Sequence, residues 1–294
     1  MDYQSFLQNK QQLYGKFGFA PHFIPKEAKD FQAHLIEWAL YKGRSAIFAD
    51  CGMGKTLMQL AWAQNVVQET NKPVLILTPL AVANQTVREG EKFGISVERI
   101  SDGNIGGCKA RVIVTNYERL HHFDDTVFGG CVCDESSILK NFNGKFKQQI
   151  IYFMRKQKYR LLCTATAAPN DFIELGNSSE ALGDLGFMEM LTKYFKNDQN
   201  TINPLAGWEG GNKWRFRGHA ERDFWRWVCS WARALRKPSD VGFEDTNYAM
   251  PEIINTEHTV TARTSRPGFL FDMPAVTLLE QKDERRRTLN ERCE

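Results

Sequence analysis

Three features of this chain predict an α/β fold, with a mostly parallel sheet covered by helices on both faces. Short aliphatic or β-branched runs recur at Ala46–Ala49, Val74–Thr78, Val112–Thr115, Val132–Cys133 and Arg160–Cys163. They are near-continuous rather than alternating, the pattern of strands buried on both sides. Helix-length segments such as Thr56–Thr70 and the charge-rich Leu80–Phe93 lie between them, as strand–helix–strand units require. A glycine-bearing loop, Ala49-Asp50-Cys51-Gly52-Met53-Gly54-Lys55-Thr56, follows the first run and opens the first long helix. In parallel sheets ligands bind at this edge, where strands end and helices begin.

Composition sets the frame. With 294 residues, the chain has room for roughly two domains of about 150 residues each. Its content of 42% hydrophobic and 25% charged residues is ordinary for a globular protein. The net charge of +3 is too small to announce a polyanion partner, so any such surface must be local. Seven cysteines, an odd number and several in apolar runs, argue for free thiols in a reducing compartment. Cys131-x-Cys133 has no partner pair and His121-His122 stands alone, which argues against zinc. The Met1–Gln4 start carries no apolar leader core, and no apolar run approaches about 18 residues. A cytoplasmic location is expected.

The glycine loop has the chemistry of a triphosphate cradle. Gly52 and Gly54 can take backbone angles closed to other residues, so that N–H groups from Gly52, Met53 and Gly54 turn inward around a phosphate. The helix start adds free N–H groups and a positive dipole end. Lys55 supplies a mobile cation, and the Thr56 hydroxyl suits the shell of a Mg²⁺ ion. The usual P-loop pattern opens on glycine, where this chain has Ala49. Cys51, inside the loop, would make nucleotide binding sensitive to thiol reagents wherever its thiolate is accessible.

Two more strand ends carry polar residues. In Cys131-Val132-Cys133-Asp134-Glu135-Ser136-Ser137 adjacent carboxylates close an apolar strand. Asp134 suits Mg²⁺ binding and Glu135 suits orienting and polarising an attacking water; alone, the pair reads equally well as a solvated acidic turn. In Leu161-Leu162-Cys163-Thr164-Ala165-Thr166 the hydroxyls lie at the same edge of the expected sheet, within reach of that carboxylate loop. There they could sense a γ-phosphate, or serve only as turn formers.

Taken together, these residues resemble the first RecA-like lobe of superfamily 2 helicases of the DEAD/DEAH-box kind, nearest the Swi/Snf-type ATP-dependent DNA translocases and their phage-encoded relatives. Ala49–Thr56 fits the A-x-x-G-x-G-K-T form of motif I, so the missing glycine is that family's habit. Asp134-Glu135-Ser136-Ser137 is similar to the D-E-x-x box, and Leu139-Lys140-Asn141 to the sequence that follows it. Thr164-Ala165-Thr166 resembles motif III, with Pro169-Asn170 as its continuation. Thr78-Pro79-Leu80 looks like motif Ia and Thr115-Asn116-Tyr117-Glu118 like motif Ib, both of which touch nucleic-acid backbone in the family, contacts that position a strand without reading it. Gln32 resembles the glutamine that reads adenine, since an amide donates and accepts at once. Ser136-Ser137 replaces the commoner Ala-His or Ala-Asp.

The resemblance spans residues 25–185. It implies ATP and Mg²⁺ as cofactors, nucleic acid (double-stranded DNA by the Swi/Snf-like details) as partner, and hydrolysis between two RecA-like lobes. Residues 1–185 are then lobe 1, 186–250 an aromatic and basic helical extension, and 251–294 a connector toward a second lobe. The Q-x-x-G-R-x-x-R pattern of that lobe does not occur, because Arg263 and Arg266 sit in Thr-Ala-Arg-Thr-Ser-Arg-Pro. The second lobe is expected from a missing C-terminal part or another polypeptide, and the chain alone is expected to hydrolyse ATP very slowly, since an arginine finger is worth about 10³–10⁵ in rate. Two other readings stay open. One is a non-catalytic, nucleotide-switched nucleic-acid-binding module; the other is an unrelated P-loop phosphotransferase, which leaves motifs Ia, Ib and III unexplained.

Residues 208–237 hold five of the seven tryptophans, and eight Lys/Arg against three acids. Phe224, Trp227, Val228, Trp231 and Leu235 recur at helical spacing and predict one apolar face. Arg222, Arg226 and Arg233 fall elsewhere on the wheel. They form either a solvated face or a nucleic-acid backbone contact, with Trp214 or Trp225 as a stacking surface.

Overall fold

Along β1 (Arg44–Ala49), Ala46 and Phe48 enter one apolar core while Ile47 and Ala49 enter another. The same alternation divides Leu75 and Leu77 from Val74 and Ile76 on β2 (Val74–Thr78), and Leu162 from Leu161 and Cys163 on β6 (Tyr159–Thr164). Both faces are therefore buried, which explains why these runs read as continuously apolar. The computed structural model describes residues 17–140, 144–168, 171–197, 214–245, 248, 254, 256, 275 and 278–289.

These strands are joined by β3 (Val97–Arg99), β4 (Val112–Asn116), β5 (Gly130–Asp134) and β9 (Ala232–Leu235) in a seven-stranded sheet ordered β3-β4-β2-β5-β6-β1-β9, every pairing parallel. One face packs on α1 (Asp30–Lys42) and α2 (Lys55–Thr70), through Leu35, Ile36, Met58 and Trp62; α3 (Ala83–Lys92) adds Ala83 to this core. The other face is covered by α4 (Gly144–Lys156), α5 (Leu175–Leu182), α6 (Phe187–Tyr194) and α7 (Ala220–Trp231). A separate two-stranded ribbon pairs β7 (Phe195–Asn197) with β8 (Trp214–Phe216) antiparallel. The chain divides into two units, Met1–Tyr248 and Ala249–Glu294. In the second, the mixed-charge tail forms α8 (Leu278–Arg287), where the Arg287 guanidinium donates to the Glu284 carboxylate three residues earlier.

One expectation needs correction. The aromatic helical face does not run on to Leu235. Phe224, Trp227, Val228 and Trp231 are buried on α7 as the spacing predicts, but the chain extends at Ala232 and adds β9 to the open edge of β1. Leu235 is buried as a strand residue, and β9 covers the edge that β1 would otherwise leave open. Pro169-Asn170, residues 198–213 and most of 251–260 lie outside the described residues, as do Arg263 and Arg266.

Candidate active site

The sheet order β5-β6-β1 sets two polar strand ends, Asp134 closing β5 and Thr164 closing β6, beside Ala49 at the mouth of the glycine loop. Backbone geometry shapes that loop. Gly52 has φ 81° and Gly54 has φ 75°, angles where a side chain costs about 1–2 kcal/mol. Gly52 faces open space, whereas a Cβ on Gly54 would fall 2.3 Å from the Gln32 amide nitrogen. Met53 turns its side chain into the core, 2% exposed, so it offers the loop only backbone. Lys55 and Thr56 open α2 at the partly exposed surface, and the Lys55 ammonium donates to the carbonyls of Ala49 (2.8 Å) and Asp50 (3.2 Å). Cys51 is exposed.

Gln32 is buried beneath the loop. Its Nε2 donates to the Met53 carbonyl at 3.0 Å, and its Oε1 accepts from the Lys29 N–H at 2.9 Å, completing the first turn of α1. The amide thus braces the loop from below, and one N–H proton remains for anything bound above it.

The carboxylate pair is held by hydroxyls and an amide. Asp134 Oδ1 accepts from Gln59 Nε2 at 2.7 Å. Burial pushes the Asp134 carboxyl above the usual carboxylate range, opposed by the Gln59 hydrogen bond and reinforced by the neighbouring Glu135 charge. Glu135 sits at φ 54°, a left-handed angle that costs a non-glycine residue of order 1 kcal/mol and commonly marks a functional turn. Its Oε1 accepts from both Thr164 Oγ1 (2.8 Å) and Ser137 Oγ (2.7 Å), and Thr164 Oγ1 in turn accepts from the Thr166 N–H at 3.0 Å. The motif III hydroxyl therefore reaches the motif II carboxylate. Ala165 lies between the two threonines and contributes no polar side chain. Ser137, a departure from the common box, supplies the second hydroxyl.

Residues 29–174 match the family model for "DEAD/DEAH box helicase". These residues are a DEAD/DEAH box helicase domain. The helicase domain lies in a chain 26% identical over 174 residues to the SWI/SNF chromatin-remodeling complex subunit snf22 of Schizosaccharomyces pombe, covering 52% of this chain and 10% of that protein. It is 31% identical over 175 residues to the putative protein p41 of Acyrthosiphon pisum secondary endosymbiont phage 1, covering 50% of this chain and 37% of that one. Among solved structures, the Sulfolobus solfataricus SWI2/SNF2 ATPase core in complex with dsDNA shares the fold, with a TM-score of 0.56 at 19% identity over 74% of this chain and 46% of that chain. The chain spans less than half the length of each of these proteins.

The expected nucleic-acid residues of the helicase domain are differently placed. Thr78, Thr115 and Asn116 are all buried at the ends of β2 and β4, Pro79 is partly exposed, and the Asn116 amide donates from its Nδ2 to the exposed Glu118 Oε2 at 2.6 Å. Those strand ends therefore offer backbone and turn residues rather than threonine hydroxyls. Beyond the helicase domain, Arg222 is exposed and Arg226 makes a 4.0 Å surface pair with Asp223. Arg233 is engaged otherwise: its guanidinium donates to the Cys229 and Ala232 carbonyls and lies 4.4 Å over Trp38, and burial lowers its pKa. The three arginines are not one open stripe. Trp225 packs edge-on against Phe172 at 5.0 Å, and Trp214 is partly exposed on β8.

Two participants escaped the sequence reading. Gln59 lies one turn along α2 from Lys55 and bonds Asp134; its i+4 spacing from the lysine was the available signal. Tyr117, inside motif Ib, donates from its phenol to the Asp134 carbonyl at 2.6 Å.

Proposed function

We propose that the chain is the ATP-binding motor lobe of a translocase or helicase that couples ATP hydrolysis to movement on nucleic acid, double-stranded DNA above all. The observation that carries this reading is the clamp on Glu135: one carboxylate oxygen fixed by hydroxyls of motifs II and III, beside a second carboxylate, two strands from a glycine loop. A carboxylate restrained in this way can orient a water for in-line attack on a γ-phosphate. A phosphate-binding protein with no hydrolytic task has no need of it.

The donor set fits ATP with Mg²⁺. The backbone of Gly52, Met53 and Gly54 and the start of α2 suit the phosphates, and Lys55 would leave the Ala49 and Asp50 carbonyls to meet them. Gln32 would meet the adenine with its remaining N–H. Thr56 and Asp134 are the oxygen ligands suited to Mg²⁺, which when bound neutralises charge on the phosphates. Pro79, Asn116, Arg222 and Arg226 are assigned to the nucleic-acid backbone; Thr78, Thr115 and Arg233 support those contacts from beneath. Arginines that stabilise charge developing on the γ-phosphate come, in this reading, from a second RecA-like lobe.

ATP·Mg²⁺ binding and turnover, with and without duplex or single-stranded DNA, test the reading. Expected are ATP binding that Lys55→Ala abolishes, slow turnover by the chain alone, and DNA binding whose salt dependence flattens in Arg222→Ala/Arg226→Ala. Turnover identical in wild type and Glu135→Gln under every condition would leave a nucleotide switch instead, and absence of ATP binding would overturn both.

A further inference from the structure

The residue after Asn116 connects two places that the proposed function needs to communicate. Tyr117 begins the turn Tyr117–His122 that follows β4, and its side chain is fully buried in the core shared with Leu77, Leu120, Cys133 and Leu139. From β4 it spans the end of β2, which lies between β4 and β5, and its hydroxyl donates to the Asp134 carbonyl. That carbonyl belongs to the peptide bond joining Asp134 to Glu135. The next rotatable bond is the φ of Glu135, already at 54°.

Glu135 is therefore fixed from two sides. The hydroxyls of Ser137 and Thr164 hold its carboxylate, and the Tyr117 phenol holds the backbone from which the side chain springs. A left-handed residue without a partner for the preceding carbonyl would relax toward an ordinary angle, since such strain persists only where the surroundings over-determine it.

At the other end of this short link, the Asn116 amide is bonded to the exposed Glu118 carboxylate at 2.6 Å. A phosphate oxygen arriving at this strand end offers the amide a competing anionic acceptor. Exchange of Glu118 for phosphate would act on the same turn whose first residue is Tyr117. We propose that Tyr117 is a positioning residue that transmits occupancy of the β4 strand end by nucleic-acid phosphate to the backbone of Glu135. This rests on the reading of the site given above.

The test measures coupling, because a linked pair of sites must change each other's affinity by the same factor. The affinity of the full chain for a fluorescent ATP analogue with Mg²⁺ is titrated with and without saturating duplex DNA, in wild type, Tyr117→Phe and Tyr152→Phe, an exposed tyrosine away from the site. The wild type should show a DNA-dependent change of about 5-fold or more, and Tyr152→Phe should match it. In Tyr117→Phe, which keeps the packed ring, the ratio should collapse to within about 2-fold of unity, while thermal unfolding still reports a folded chain. A Tyr117→Phe ratio equal to wild type overturns the proposal, as does a wild-type ratio of one with both ligands bound. A wild type that binds the nucleotide but no nucleic acid overturns the proposed function itself, and this link with it.

Discussion

Arg160 at the start of β6 and Glu135 just past the end of β5 are charged residues on neighbouring strands, held in opposite ways. Arg160 is 4% exposed and donates only to backbone carbonyls: Gln157, Leu182 and Arg155. Burial pulls its pKa down to about 9, still protonated at neutral pH. Its unstrained acceptors belong to segments flanking β6 and to the end of α5, so one guanidinium ties the sheet's amino edge to the helical layer. Glu135 is partly exposed, takes a left-handed backbone angle, and is held by two hydroxyls and a neighbour's carbonyl bond. Around it the buried hydroxyls of Thr78, Thr115 and Ser136 have no hydrogen-bond partner among the described residues. Arg160 spends its donors on holding the fold, while Glu135 sits strained and partly exposed where a ligand can reach it.

The sharpest way to break this contrast is to remove the two charges in turn. Arg160→Met should cost about 3–5 kcal/mol in urea unfolding, because several buried carbonyls lose their donor together, with ATP affinity of the remaining folded protein unchanged. Glu135→Gln should do the reverse, lowering the chain's slow ATP turnover about 10²-fold or more while unfolding stays within about 1 kcal/mol of wild type. If Glu135→Gln destabilised as much as Arg160→Met, the two edges would not differ in kind.

Asp184, just beyond α5, sharpens the comparison from within the helical layer. Burial raises its carboxyl from 3.8 to about 6, opposed by Lys42 and Lys193. The folded protein then holds that proton more tightly than the unfolded chain, so this group's contribution to stability is fully present below about pH 4 and is lost as pH rises through 6. Asp184→Asn should leave stability near pH 4 unchanged and raise it at pH 8 by about 3 kcal/mol. Equal gains at both pH values would assign the effect to packing instead.

The smallest effect separates the loop glycines. Both need a positive φ, but only Gly54 also lies against Gln32. Gly54→Ala should weaken nucleotide binding by about 1 kcal/mol more than Gly52→Ala. Equal losses would mean that the Gln32 brace does not matter to the loop.

The strand cores and the polar strand ends were legible because parallel strands buried on both faces leave continuous apolar runs, and because phosphate loops need glycine in fixed places. The strand Ala232–Leu235 was not, since two alanines and an arginine carry little strand signal and the aromatic period of α7 ran into them. Nor was the burial of Thr78 and Thr115 at their strand ends, where the same hydroxyl would serve a ligand had it been exposed. Gln59 and Tyr117 take their roles from neighbours distant in sequence. A local pattern reads one as a helix residue and the other as core.

The N–H of Asp50, where the phosphate loop begins, donates to the carbonyl of Leu235 at 3.0 Å, on the last strand of the sheet in chain order. During synthesis, at about 5–20 residues per second, every motif of the site leaves the ribosome before the strand that fastens its loop. The nascent helicase domain thus waits for a distant segment before its loop is secured. Nucleotide added to stalled chains should bind well only once residues through Leu235 have emerged.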